Sequence, residues 1–317
     1  KGNLTSRKVM SREAIRNAVM VTLAIGGSTN AVIHCCALGH ELGLDPREVM
    51  GWFDECSGTI PLVARINPAS LDYDCEDLYK AGGVPEVMKV IRDFLHGGAM
   101  TVTMRDVGSN LDGFVNPFPA NPAVISSLEN PHSRLGGLAI MRGNIAPDGA
   151  VAKPAAIAEE SRRFKGIAVC FDSEAECLEA IGQRRFKPGD VLVIRFEGPK
   201  GGPGMKEMYM PPKMLYGQGL GRTTAVISDG RFSGTNNGCF VGHVSPEAAA
   251  GGPIALVRDG DGITIDVLKK RLDLDVSEEE LERRRSLWSY RPREGLSGSL
   301  ARYAKSVRSA SEGAVLD

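Results

Sequence analysis

From residue 137 onward the apolar residues come in short runs closed by Gly, Pro or Asp. The runs are GLAIM (137–141), GIAVC (166–170), DVLVIR (190–195), TAVI (224–227), CFV (239–241), IALV (254–257) and GITI (262–265). Runs this short between turn residues read as strands, not helices. The 38 glycines and 18 prolines favour tight loops over a helical bundle. We expect a mainly β domain here, a barrel or a sandwich. A few helices interrupt it, notably 173–181 with Glu174, Glu176 and Glu179.

The earlier part has helical spacing instead. Ser11 is an N-cap candidate, and Ile15, Val19, Met20 and Leu23 share one face. The pattern breaks at GGSTN (26–30), resumes at Ala31 and stops at Gly43-Leu44-Asp45-Pro46. Two glycines followed by hydroxyl and amide side chains at a helix start can hold an anion. Spacing alone favours the plainer reading, a tight turn with an N-cap. Residues 57–70 read as a short strand and loop, and 78–96 as a helix broken at Gly82-Gly83. Residues 105–135 are rich in Asn, Pro, Gly and Ser and suggest a boundary. Domains are expected at 1–125 and 126–317. Ser277 opens a charged helix anchored by Leu281, expected to be a solvated surface helix. The Ser- and Ala-rich stretch 297–317 is expected to be loosely held.

A chain of 317 residues can bury a sizeable core. A net charge of −1 gives no bulk electrostatic case for nucleic acid or anionic membrane as partner. No apolar run reaches the length of a membrane span, and the first residues lack the apolar core of a signal peptide. The sequence starts with Lys1, so we expect it to begin inside a longer protein. Seven scattered cysteines without a CxxC pair argue against a disulfide framework and for a reducing cytoplasm.

Two segments are candidates for chemistry. EGPKGGPGMKE (197–207) is a glycine- and proline-rich path ending at Glu207. It lacks the Gly-Lys-Ser/Thr of a phosphate-binding loop. A hard-cation site using Glu207 is more attractive, since Mg²⁺ takes one or two carboxylates plus substrate oxygens and water. SDGRFSGTNNG (228–238) is longer than a hairpin of about two to five residues needs. Ser233 does not sit in a nucleophile elbow, because Arg231 stands where the first glycine belongs. It could act as a base whose alkoxide is stabilised by a metal, by main-chain N–H groups or by Arg231, or it could be a plain loop serine. Spacing alone does not favour the base. His243 follows this loop and is expected near it. His34 and His40 read as helix-packing residues, and the cysteines as small buried hydrophobes. Cys35 and Cys36 point about 100° apart on a helix and are poor joint ligands.

Taken together, GGSTNAV (26–32), GGVPEVMK (82–89), GGLAIMRGNIAPDGAV (136–151), FEGPKGGPGMKEM (196–208), SDGRFSG (228–234) and HVSPEAAAGGPIALVRDGD (243–261) resemble one family. It is the dihydroxy-acid and sugar-acid (phosphogluconate, pentonate) dehydratase family, and the resemblance covers its C-terminal portion. It implies the end of an N-terminal α/β domain followed by a C-terminal β-barrel-like domain. It implies a hydro-lyase that removes water from a 2,3-dihydroxy carboxylic acid to give a 2-keto acid. An iron–sulfur cluster acts on the leaving hydroxyl, and Mg²⁺ binds the carboxylate end. Ser233 matches the family's base and Glu207 its C-terminal Mg²⁺ ligand. Thr235 matches a substrate contact of the sugar-acid branch, where branched-chain enzymes more often have Gly. Arg231 sits beside the base. Ser28, Thr29 and Asn30 match a site-proximal motif.

The family's cluster cysteines and remaining Mg²⁺ ligands lie upstream of GGSTN, so no cluster ligand is expected in this chain. The chain by itself is expected to be incomplete and without dehydratase turnover. The full protein is expected to be a cytoplasmic homodimer or higher homo-oligomer acting on a branched-chain dihydroxy acid or a sugar acid. The alternative is a non-catalytic remnant of the fold that binds a small molecule or a partner.

Overall fold

The computed structural model describes residues 3–232, 238–290 and 292–316. Two compact units divide between Leu138 and Ala139.

The first unit carries seven helices among its described residues: α1 (Ser6–Val9), α2 (Arg12–Ala24), α3 (Asn30–Glu41), α4 (Pro46–Cys56), α5 (Cys75–Lys80), α6 (Gly83–Val90) and α7 (Val107–Gly113). Ser11 caps α2 by accepting the Ala14 N–H at 3.2 Å. Asp45 caps α4, with Pro46 at its first turn. Helices α2, α3 and α4 pack on one another. Their shared faces bury Ile15, Val19 and Leu23, then Val32 and Cys36, then Val49 and Phe53. The break between α5 and α6 falls at Gly82, where φ is +112°, a region that favours glycine. The expected strand in 57–70 is absent. Leu62 and Ala64 make only isolated bridges, to Ser133 and Ile125. Pro61 and Pro68 lack the N–H groups that a longer ladder needs.

The second unit is built on one eight-stranded sheet. Its strands are β1 (Ala139–Met141), β2 (Gly149–Ala152), β3 (Arg163–Phe171), β4 (Asp190–Ile194), β6 (Ala225–Ser228), β8 (Phe240–Ser245), β9 (Gly262–Asp266) and β10 (Arg271–Leu274). Between them lie the two-residue strands β5 (Glu207–Met208) and β7 (Arg231–Phe232), which pair separately. The order is β1-β2-β8-β6-β4-β3-β9-β10. The centre, β3-β4-β6-β8, is parallel and the flanks are antiparallel. The sheet nearly closes into a barrel. Arg142, just past β1, donates to the Lys270 carbonyl and accepts from the Leu272 N–H, both at 2.9 Å.

Alternation along the strands fills both faces. Val191, Val193, Ala225, Ile227, Val241 and Ile263 belong to one cluster. Leu192, Ile194 and Val226 belong to another, with Cys177, Ala180 and Ile181 of α8 (Glu174–Gln183) and Leu215 of α9 (Met210–Gly217). Two buried faces explain why these strands read as unbroken apolar runs.

Three expectations need correction. Residues 254–257 form no strand; Pro253–Leu256 is a 3₁₀ turn. It follows Gly251 at φ +76°, and Pro253 is pre-set for a helical start. Helix α10 (Glu278–Leu287) is not purely solvated: Leu281 and Arg284 are both buried. The C-terminal stretch is tied down. It forms α11 (Gly298–Ser306), buries Ala304, Val307 and Ala310, and Val307 bridges to Leu316.

Candidate functional site

The loops after β4, β6 and β8 leave the same ends of three adjacent parallel strands. Crevices at such ends are where open parallel sheets bind ligands. Each loop carries one acid that is sealed from solvent: Glu197, Asp229 and Glu247.

Asp229 accepts three backbone N–H groups, from Phe196 (3.1 Å), Glu197 (3.0 Å) and Ala248 (2.8 Å). Its single carboxylate therefore ties together the loops after β4, β6 and β8. Glu247 accepts the N–H groups of Lys200 and Gly201, the latter at 2.8 Å. Glu197 accepts the N–H of Glu174 at 2.7 Å, and Arg293 approaches its other oxygen at 3.7 Å. Burial, then the charge of Glu247, pushes the Asp229 carboxyl up to about 7, against the pull of its three N–H donors. Burial likewise raises the Glu247 carboxyl.

The glycines of this segment serve close approach. A Cβ on Gly198 would sit 2.7 Å from a Glu247 carboxylate oxygen. One on Gly230 would meet the Glu197 side chain at 2.9 Å. Phe196 (φ +59°), Met205 (φ +46°) and His243 (φ +56°) are held in the left-handed region without being glycine. Such strain persists only where the surroundings over-determine it.

The glycine-rich segment ends at β5. Glu207 pairs in parallel register with Arg231 of β7, and Met208 with Phe232. Arg231 reaches back, its Nε donating to the Met205 carbonyl at 2.6 Å. The Glu207 side chain is exposed and Arg231 is half-buried. His243 is buried, and its backbone N–H donates to the Gly230 carbonyl at 2.8 Å. The structure therefore brings together Glu207 and Arg231. Ser233 and Thr235 lie outside the described residues; Phe232, next to Ser233 in sequence, is the last residue of β7.

In the other unit, Ser28, Thr29 and Asn30 form the turn into α3. The Ser28 Oγ accepts the Asn30 N–H at 3.2 Å, and Thr29 occupies the cap position.

Four of the seven cysteines lie in the first unit and three in the second. Cys35, Cys36, Cys56, Cys177 and Cys239 are buried. Desolvation pushes the Cys35 thiol up to about 11 and those of Cys36, Cys177 and Cys239 to about 12. Cluster ligands are thiolates, and burial at these positions favours the neutral thiol. Among the described residues no three His, Cys, Asp or Glu side chains converge as a metal-binding group. Glu207 differs: an exposed carboxylate is a hard oxygen donor and suits Mg²⁺ as one ligand.

Sequence reasoning singled out Glu207 and Arg231 but passed over Glu197, Asp229 and Glu247. The signal was present. Three of the apolar runs are each followed shortly by an acid beside Gly or Pro, in EGP, SDG and SPE.

Among the described residues no helix is long and apolar enough to cross a membrane. Residues 1–110 match the family description "Dihydroxy-acid/6-phosphogluconate dehydratase N-terminal", and residues 123–314 the C-terminal counterpart. A dihydroxy-acid dehydratase of Ignicoccus hospitalis is 48% identical over 99% of this chain and 56% of its own length. One from Chloroflexus aurantiacus is 46% identical over 100% of this chain and 56% of its own. One from Aquifex aeolicus is 44% identical over 98% and 55%. The chain thus spans little more than half the length of these curated relatives. With both halves matched in order, the chain belongs to the dihydroxy-acid/6-phosphogluconate dehydratase family.

Proposed function

We propose that the native-length protein is a hydro-lyase that converts a branched-chain 2,3-dihydroxy acid to a 2-keto acid. The observation that carries this reading is family membership, with relatives named dihydroxy-acid dehydratase at 44–48% identity. Those names favour a branched-chain dihydroxy acid over the sugar acid to which Thr235 and its polar neighbours lean.

In this reading Ser233, as its alkoxide, takes the proton from C2 of the substrate. The C2–H electron pair forms the C2–C3 double bond, the C3 hydroxyl leaves as hydroxide and is released as water with the proton that Ser233 removed, and the enol tautomerises to the 2-keto acid. Glu207 would serve as one ligand of a Mg²⁺ ion, which would stabilise negative charge on the substrate carboxylate. The Glu207–Arg231 register supports this, because it sets the carboxylate beside the strand that leads into Ser233. Arg231 supplies positive charge near the base, and Thr235 contacts substrate. Ser28, Thr29 and Asn30 contact substrate, and the sequence domains divide near residue 125, ahead of the break between the compact units at Leu138. The cysteines of this chain take no part, so an iron–sulfur cluster would be held by residues outside it. We place the protein in the cytoplasm as a homo-oligomer.

The test is 2-keto acid release by the native-length protein, offered a branched-chain 2,3-dihydroxy acid and a sugar acid in parallel. Turnover of the first, abolished by Ser233→Ala, is expected. Turnover of the sugar acid alone, or full activity in Ser233→Ala, would overturn the reading.

A further inference from the structure

Asp229 and Glu247 are not placed to touch substrate. Both are sealed from solvent, and both spend their oxygens on backbone N–H groups. Burying two acids side by side is unfavourable unless hydrogen bonds compensate. Here the compensation comes from one segment. Four of the five donors are consecutive or nearly so along the glycine-rich path: Phe196, Glu197, Lys200 and Gly201. The fifth, Ala248, follows Glu247 itself.

The far end of that path is held from the same loop that carries Asp229. Arg231 fixes the Met205 carbonyl, and β5–β7 pairing fixes Glu207 against Arg231. The path is therefore pinned at its start by Asp229, in its middle by Glu247 and at its end by Arg231. Glycine and proline supply the tight turns, and the acids supply the fixed points. Side chains cannot do this from within the path, since a Cβ on Gly198 or Gly202 would run into Glu247 or Glu197.

We propose that Asp229 and Glu247 are positioning residues, which lock the glycine-rich segment so that Glu207 is presented to a divalent cation in one fixed place. The inference rests on the reading of Glu207 as a Mg²⁺ ligand. It adds two residues that touch neither cation nor substrate and act through the backbone between them and Glu207.

The experiment uses the native-length protein and Mn²⁺ as the probe for Mg²⁺, with binding followed by its electron paramagnetic resonance. Amide hydrogen exchange of the segment around Lys200 and Gly201 is read in parallel. Glu247→Ala is expected to weaken Mn²⁺ about tenfold or more, as loss of outer-shell support commonly does, and to speed exchange at Lys200 and Gly201. Glu247→Gln keeps an oxygen within reach of both donors and is expected to restore both readouts most of the way. A folded Glu247→Ala protein with unchanged Mn²⁺ affinity overturns the proposal. If Glu247→Ala does not fold, Asp229→Asn decides: it keeps the shape but turns an amide N–H toward a backbone donor. Unchanged Mn²⁺ affinity there overturns the proposal equally. Glu207→Ala is the control for the underlying reading. If it leaves Mn²⁺ affinity unchanged, that reading fails. If it weakens Mn²⁺ while the other variants do not, only the positioning proposal fails.

Discussion

Asn17 grips the backbone of His96 from both sides: its Nδ2 donates to the His96 carbonyl at 3.1 Å, and its Oδ1 accepts the His96 N–H at 2.8 Å. Asn17 is buried in α2. Asn17→Leu would leave two backbone groups without their partner. A loss of about 2 kcal/mol is expected. Trp52 lies in this unit and Trp288 in the other. Denaturant unfolding followed by Trp52 fluorescence in a Trp288→Phe background reads it out. An equal or higher midpoint would remove Asn17 from the structural account.

Arg284 is the buried cation of α10. It meets Asp261 through two contacts, at 2.5 and 3.0 Å, donates to Glu280 at 2.8 Å and to the Leu256 carbonyl at 2.9 Å. Arg284→Ala leaves Asp261 partly buried and without this partner, and is expected to cost about 3 kcal/mol. Arg284→Lys keeps the charge but not the planar fork, so it should recover only part of the loss. Trp288 fluorescence during unfolding measures both. Full recovery by lysine would mean that charge alone, not the fork, holds α10.

Gly143 lies where the sheet comes back on itself. A Cβ there would fall on the Leu272 carbonyl oxygen, which is backbone and cannot swing aside. Gly143→Ala is expected to destabilise the second unit by about 1–3 kcal/mol or more, lowering its thermal midpoint. An unchanged midpoint would show that the closure is slack.

The Asp229 carboxyl is raised to about 7 by burial and by Glu247, whose own carboxyl burial also raises. Below the ordinary aspartate range both folded and unfolded chains hold the proton, and there is no difference between them. As pH rises from about 4 toward 7, the unfolded chain releases a proton that the folded one retains, so stability falls through that window. Asp229→Asn removes this slope. The wild type should therefore stand highest relative to Asp229→Asn near pH 4.5 and lose ground by pH 7.5. Thermal midpoints across that range test it, and parallel curves would contradict a raised Asp229.

Much of the second unit is legible in its sequence. Six of the strands coincide with apolar runs, most plainly β4 and β6, where both faces are covered and no polar residue needs to intervene. The strands that escape notice lack this signature. GAVA (149–152) is small and glycine-led, and RLDL (271–274) alternates within a charged stretch, with Leu272 and Leu274 buried. Glu207 and Arg231 stand out because each is the charged residue of an unusual loop. Glu197, Asp229 and Glu247 do not, since their work is to accept backbone N–H groups from distant loops. Nothing local in EGP, SDG or SPE says where those donors are.

The seam between Arg142 and Arg271 joins the first strand of the unit to the last. Such non-local pairing forms late and slowly, because the intervening chain must be ordered before the two ends can meet. During synthesis β1 emerges from the ribosome well before the partner that covers its edge. A chain interrupted before Arg271 would carry an open sheet, with the backbone groups of β1 and β9 exposed along its two margins. Unpaired margins of this kind recruit strands from other molecules. The last four residues of the barrel, as much as its apolar filling, therefore separate a self-contained unit from one that invites aggregation.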